Sequence, residues 1–307
     1  RDPRGEIIAR ILPVTCGALM IVAIFYFFSR YSLWLGFYSL FLSLSSSMWW
    51  RYWVEARPYS LWMFLTAIQM LLFIYILEKE NEAPRAWRWL LVTHWLLSLT
   101  VIFSLVQIVA VSFLLWIWHD RRVFNWRKYL FLTILPCLMC LFYYSQAPKY
   151  QFWIMFSLEQ IIRAHIPRYW LYVFYLIVLF LSLFICQRKT GWPLLYRNDQ
   201  WRRGIPYFFL MAIMLLATAL VVGIFHVGQS PQGVGFPLTE KYFINLVPMG
   251  IIGITWLSYH VLSSLRGIRW LQFLVILGIA IFLGNHVTKV IPDIQGHHPE
   301  VLRKVGT

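Results

Sequence analysis

An all-α, polytopic transmembrane helical bundle of about ten spans is the fold class this sequence predicts, and two observations predict it. Hydrophobic residues make up 60% of the chain and charged residues only 13%, about half the share usual in soluble proteins. Apolar runs of roughly 18 or more residues, the length that crosses a bilayer, recur from one end to the other. The polar gaps between them leave no room for a soluble domain, so residues 1–307 read as a single membrane domain. The net charge of +15 is then assigned to loop lysines and arginines that set topology. Nucleic acid is excluded as a partner, because no basic stripe is free of the apolar runs.

The spans are 10–28, 32–49, 60–77, 87–102, 103–118, 129–145, 169–186, 207–226, 243–260 and 268–286. Most are apolar all round, as helices surrounded by lipid and by each other must be. The basic turn Ser29-Arg30-Tyr31 separates the first two. Glu78-Lys79-Glu80-Asn81-Glu82 and His119-Asp120-Arg121-Arg122 are solvated charge runs. Pro136 and Pro248 fall inside spans and are expected to kink them. Cys137 and Cys140 have CxxC spacing inside an apolar run, where they read as small hydrophobes on one helix face.

Trp87 to Trp118 is the segment whose division has to be argued. As one helix it would be about 48 Å long, against a hydrocarbon core of about 30 Å. The lysine and arginine count arbitrates. Two short helices, with the Glu55–Arg57 loop outside, place 15 of the 27 basic residues inside; one helix places only 11 there. Two helices are therefore predicted, with both chain ends on the outer face. That face also carries the loop Tyr144 to Arg168 and the glycine- and proline-containing stretch Gly228 to Lys241. Within the former, 151–163 reads either as an interfacial helix with its aromatic face down or as a plain connector.

The outer segment Trp49-Trp50-Arg51-Tyr52-Trp53-Val54-Glu55-Ala56-Arg57-Pro58-Tyr59 carries the functional signal. Aromatics at this density mark the membrane–water interface, and charges at the mouth of a membrane bundle point to function. Arginine suits phosphate because its planar fork donates several hydrogen bonds at once. Arg51, Arg57 and Lys241 are thus candidates to clamp the phosphate of a lipid-linked donor. Glu55, Tyr59 and Tyr242 are candidates to touch the rest of the substrate. The competing interpretation is that the arginines snorkel to headgroups and Lys241 is an interfacial anchor. No phosphate-binding glycine loop and no HExxH is present, and His297-His298 has no further ligands close in sequence. No metal and no cofactor are predicted. An activated substrate is therefore expected through the membrane.

At these residues the chain resembles the integral-membrane glycosyltransferases of the GT-C class, in the branch of protein O-mannosyltransferases and lipid A aminoarabinose transferases. The likeness rests on Gly5-Glu6-Ile7-Ile8-Ala9-Arg10-Ile11-Leu12-Pro13 before a span, on Ser29-Arg30-Tyr31, and on Glu55-Ala56-Arg57-Pro58-Tyr59 followed by Ser60-Leu61. Lys241-Tyr242-Phe243 before a span with Pro248 is similar too. The likeness is strongest over 5–77 and loose beyond. It implies inverting transfer from a polyprenyl-phosphate sugar, with Arg57, Arg51 and Lys241 on the donor phosphate and Glu55 orienting Arg57 or touching the sugar. It also implies a catalytic base upstream of Arg1, so the chain is expected to be cut at both ends and inactive alone. The chain departs from the pattern where a subgroup has an Asp, at Ser60, Leu61 and Trp62. It departs again where others have a His-Tyr pair, here Thr100-Val101-Ile102-Phe103. His94, nearby, reads as a helix-packing histidine. The implied setting is a multi-pass plasma-membrane protein with its site facing outside, partnered by the lipid donor and membrane lipids, its acceptor open. The rival classes are a transporter or lipid flippase, and a non-catalytic fragment or scaffold.

Overall fold

The computed structural model describes residues 3–52, 58–79, 84–118, 126–146, 154–155, 206–207, 209–214, 236–237, 244–264, 273–281, 284 and 288. Among these the protein is all-α apart from turns and one two-residue pair of strands. Ile154–Met155 (β1) runs parallel to Phe236–Pro237 (β2). The helices are α1 (Pro3–Ser29), α2 (Leu33–Leu44), α3 (Ser47–Tyr52), α4 (Tyr59–Lys79), α5 (Pro84–Ser98), α6 (Ser104–Trp118), α7 (Trp126–Tyr129), α8 (Leu135–Gln146) and α9 (Leu246–Ser264). A π-turn, Leu130–Ile134, joins α7 to α8. Further helical residues lie at 206–207, 209–214 and 273–281.

Among the described residues two helices are long and apolar enough to cross a membrane, Arg10–Ser29 within α1 and Tyr59–Lys79. Leu33–Leu44, Ser104–Ile117 and Leu246–Leu262 are shorter apolar helices. The chain divides into two compact units, the first of Arg1–Leu61, Tyr172–Asn198 and Ile251–Thr307, the second of Trp62–Leu171 and Asp199–Gly250.

In the first unit α1 and α2 form a hairpin. Cys16, Met20, Ile24, Phe27 and Phe28 make the buried stripe of α1, while Ile11, Leu12, Leu19, Val22 and Tyr26 are exposed. The 3.6-residue repeat puts these two sets on opposite faces. Gly36 sets the approach of the two helices: a Cβ there would stand 3.0 Å from the Ser29 Cβ and 3.2 Å from the Phe25 ring. Small residues at crossings let membrane helices pack backbone to backbone. On α9, Ser258 Oγ is 3.2 Å from Tyr38 Oη, and the rings of Tyr31 and Tyr259 are 5.3 Å apart.

Two expectations need correction. The span 32–49 is not one helix: it stops at Leu44 and restarts at Ser47. The serine run Ser43 to Ser47 explains the break, since serine hydroxyls compete with the backbone ladder. Ser45 Oγ donates to Leu42 O at 2.9 Å, and Ser46 Oγ caps the new helix by accepting the Trp49 N–H at 3.3 Å. Pro248 lies in the first turn of α9, where its missing N–H has no intrahelical partner to lose, so no mid-helix kink follows from it. Of the two readings of 151–163, only Ile154 and Met155 fall within the described residues, and they are paired in extended form.

The second unit holds α5 to α8 and α4 from Trp62 onward. Trp87 to Trp118 is two helices with a turn at 99–103. The carbonyls that end α5 are met locally. Leu97 O accepts from the Thr100 and Ser104 hydroxyls, each at 2.7 Å, and Trp95 O accepts from Ser98 Oγ at 2.7 Å. In an apolar surrounding those carbonyls would otherwise be costly to leave unpaired. Tyr207 Oη donates to Met249 O at 2.6 Å in the same unit.

Candidate functional site

The charged, aromatic segment Trp49 to Tyr59 begins in α3 and ends at the start of α4. α3 is capped by Ser46, and the Trp50 indole N–H donates to Leu44 O at 2.6 Å. The rings of Trp49 and Trp50 meet edge to face at 4.6 Å. The described residues resume at Pro58, which is exposed. Tyr59 then opens α4, half-buried, its ring edge to face with Tyr52 at 5.7 Å. Ser60 is buried, and its hydroxyl donates to Tyr52 O at 3.1 Å. One hydrogen bond and one ring pair thus join the residues that flank 53–57, and 53–57 themselves lie outside the described residues.

Tyr59 is the one predicted site residue whose side chain is described, and it sits beside that stretch. Arg51 is in α3, its side chain outside the described residues. Glu55, Arg57, Lys241 and Tyr242 also lie outside the described residues. Ile244 and Asn245, which follow the lysine–tyrosine pair, are buried at the start of α9. Both side-chain polar atoms of Asn245 lack a hydrogen-bond partner among the described residues.

A second polar constellation fills the interior of the second unit. Trp62, Thr66 and Gln69 lie on one stripe of α4, four and three residues apart, and all are fully buried. Gln107 of α6 reaches all three. It accepts from the Trp62 indole N–H at 3.3 Å, and its amide nitrogen donates to Thr66 Oγ1 at 2.9 Å and to Gln69 Oε1 at 2.5 Å. Gln69 in turn meets His94 Nε2 of α5 at 2.8 Å, and His94 Nδ1 lies 2.7 Å from Leu132 O of the π-turn. His94 is therefore a fully paired packing histidine. Nearby, Lys128 lies 5.0 Å from the centre of the Trp87 ring, and partial burial pulls its pKa below the usual lysine value.

Sequence reasoning singled out His94 but passed over Gln69 and Gln107. Their signal was present: uncharged polar side chains inside apolar runs, where an unpaired amide is costly and a partner must exist. Charge was the wrong filter, because this interior is wired through amides and an indole. Among the described residues no group of histidines, cysteines and carboxylates could hold a metal ion. Compared with models of protein families, with curated proteins and with solved structures, the chain matches none.

Proposed function

We propose that the chain is the membrane domain of a glycosyltransferase, moving a sugar from a polyprenyl-phosphate donor to an acceptor hydroxyl at the outer face of the plasma membrane. In this reading about ten spans form the bundle, and membrane lipids surround it. The observation that carries the reading is the position of Glu55 and Arg57 between residues that contact one another, Tyr52 on one side and Tyr59 and Ser60 on the other. Electrostatic stabilisation of a leaving group needs donors fixed before the charge develops, and the flanking contacts hold the two ends of this stretch together. The resemblance of Glu55-Ala56-Arg57-Pro58-Tyr59 to the GT-C transferases supports the same assignment.

Arg57, with Arg51 and Lys241, holds the donor phosphate. Glu55 orients Arg57 or contacts the sugar, and Tyr59 and Tyr242 hydrogen-bond beside them. In the reaction the acceptor oxygen bonds to the anomeric carbon as the bond from that carbon to the phosphate oxygen breaks. The acceptor proton passes to a carboxylate base, and the polyprenyl phosphate leaves with the extra charge that the arginines neutralise.

The test is binding of a polyprenyl monophosphate to the chain in nanodiscs, together with sugar transfer by the full-length parent protein in its membrane. Arg57→Lys keeps the charge and loses the fork. It should lower transfer about 30- to 1,000-fold, the equivalent of about 2–4 kcal/mol. Arg163→Lys should change it little. Unchanged donor binding and transfer in Arg57→Lys would remove Arg57 from the site.

A further inference from the structure

Pro136 has no N–H, so in a regular helix the carbonyl four residues earlier, Leu132 O, would lose its donor. The chain widens at this place. Leu130–Ile134 is a π-turn, and the N–H of Leu135 bonds five residues back to Leu130 O. Such bulges sit where a helix must absorb an irregularity, often a functional one. Leu132 is nevertheless buried, and its carbonyl is met from another helix, by His94 Nδ1 at 2.7 Å.

The protons along the rest of the chain follow from its two ends. A carbonyl only accepts, so His94 Nδ1 carries the proton. In the neutral ring Nε2 is then the acceptor, and the amide of Gln69, 2.8 Å away, is its donor. This leaves Gln69 Oε1 toward Gln107, which donates to it at 2.5 Å. Gln107 Oε1 is left for the Trp62 indole, a group that can only donate. Trp62 at one end and Leu132 O at the other permit one direction of donation and no other. Turning either glutamine amide would set donor against donor.

We propose that His94 is the substitute donor for the amide proton Pro136 lacks, and that this makes the π-turn and the Trp62–Gln107–Gln69–His94 chain one conformational lock across α4, α5, α6 and α8. The lock holds His94 in the tautomer protonated at Nδ1, both glutamine amides in one orientation, and α4 in one rotation about its axis. Its polar groups, completely paired and wholly buried, are worth keeping inside an apolar unit for the single arrangement they specify.

Two measurements test it on the intact chain in detergent or nanodiscs. Pro136→Ala restores a backbone donor to Leu132 O and so makes His94 dispensable there. His94→Leu should then lower the folded-to-unfolded ratio about tenfold more in the parent than in the Pro136→Ala background. Equal losses in both backgrounds would overturn the proposal. The second reading needs no variant to fold stably. Nitrogen-15 spectra of histidine-labelled wild-type chain should show one buried ring with Nδ1 protonated and Nε2 bare, assigned to His94 by coupling across its hydrogen bond to the labelled Gln69 amide. A His94 ring protonated at Nε2 would break the direction of the chain and overturn the lock.

Discussion

Gln107→Leu is the most informative single change in this molecule. Gln107 is fully buried and reaches three groups of α4: the Trp62 indole N–H, Thr66 Oγ1 and Gln69 Oε1. Leucine keeps most of the volume and removes every one of these bonds. The Trp62 N–H and Gln69 Oε1 are then left buried without partners. In water-soluble proteins each would cost about 1–3 kcal/mol. Interhelical hydrogen bonds in membranes average about 0.6 kcal/mol each, which for three bonds sets a floor near 2 kcal/mol. The expected loss is therefore about 2–4 kcal/mol. Gln107→Glu should be worse still. A carboxylate accepts from Trp62 but sets oxygen against Gln69 Oε1 and buries a charge, which carries a further penalty. The assay is reversible unfolding in mixed micelles, followed by tryptophan fluorescence. The order wild type, then Gln107→Leu, then Gln107→Glu is the result expected. If both variants were within about 0.5 kcal/mol of wild type, the error of such comparisons, the network would contribute nothing and the argument would fail.

The remaining predictions concern the hairpin, the motif and the membrane. Gly36→Leu should lower thermal stability by about 1–3 kcal/mol through overpacking against Ser29 and Phe25, while Gly278→Leu, whose surroundings are open, should not. Ser60→Ala removes the hydroxyl that donates to Tyr52 O across the motif and should weaken polyprenyl-phosphate binding several-fold, with little change in melting temperature, since one part-buried hydrogen bond is worth about 1 kcal/mol. Cysteine placed at Glu55 should react with an impermeant thiol reagent from outside and cysteine at Asp120 only from inside. The reverse pattern would invert the topology drawn from the basic-residue count.

Much of the helical framework could be read from residue order, because an apolar run of spanning length has few alternatives. α4 begins and ends within two residues of the span read as 60–77. The division of Trp87 to Trp118 was legible from arginines and lysines on either side of it, although the turn itself is made by Ser98, Thr100 and Ser104 acting on nearby carbonyls. The break between α2 and α3 was missed with its signal in plain view. Hydropathy averages over the serine run Ser43 to Ser47, whereas capping acts residue by residue.

The motif and the interior lock illustrate two different limits. Arg51, Glu55 and Arg57 are conspicuous because charge at an apolar border is rare, yet adjacency in sequence gives their chemistry and not their geometry. The hydrogen bond across the motif's two ends comes from Ser60 and Tyr52, which carry no charge and draw no notice. The lock is the opposite case. Pro136 announces a missing donor, but nothing local says which side chain will replace it. The answer is His94, 38 residues before Leu132 in sequence, and it is determined only once α5 packs against the π-turn. A proline inside an apolar helix thus poses a question that sequence can state in full. The carbonyl four residues before it must be satisfied, and the candidates are the few donors within other apolar runs. In this chain those donors are few enough that Gln69, His94 and Gln107 would be the first to try.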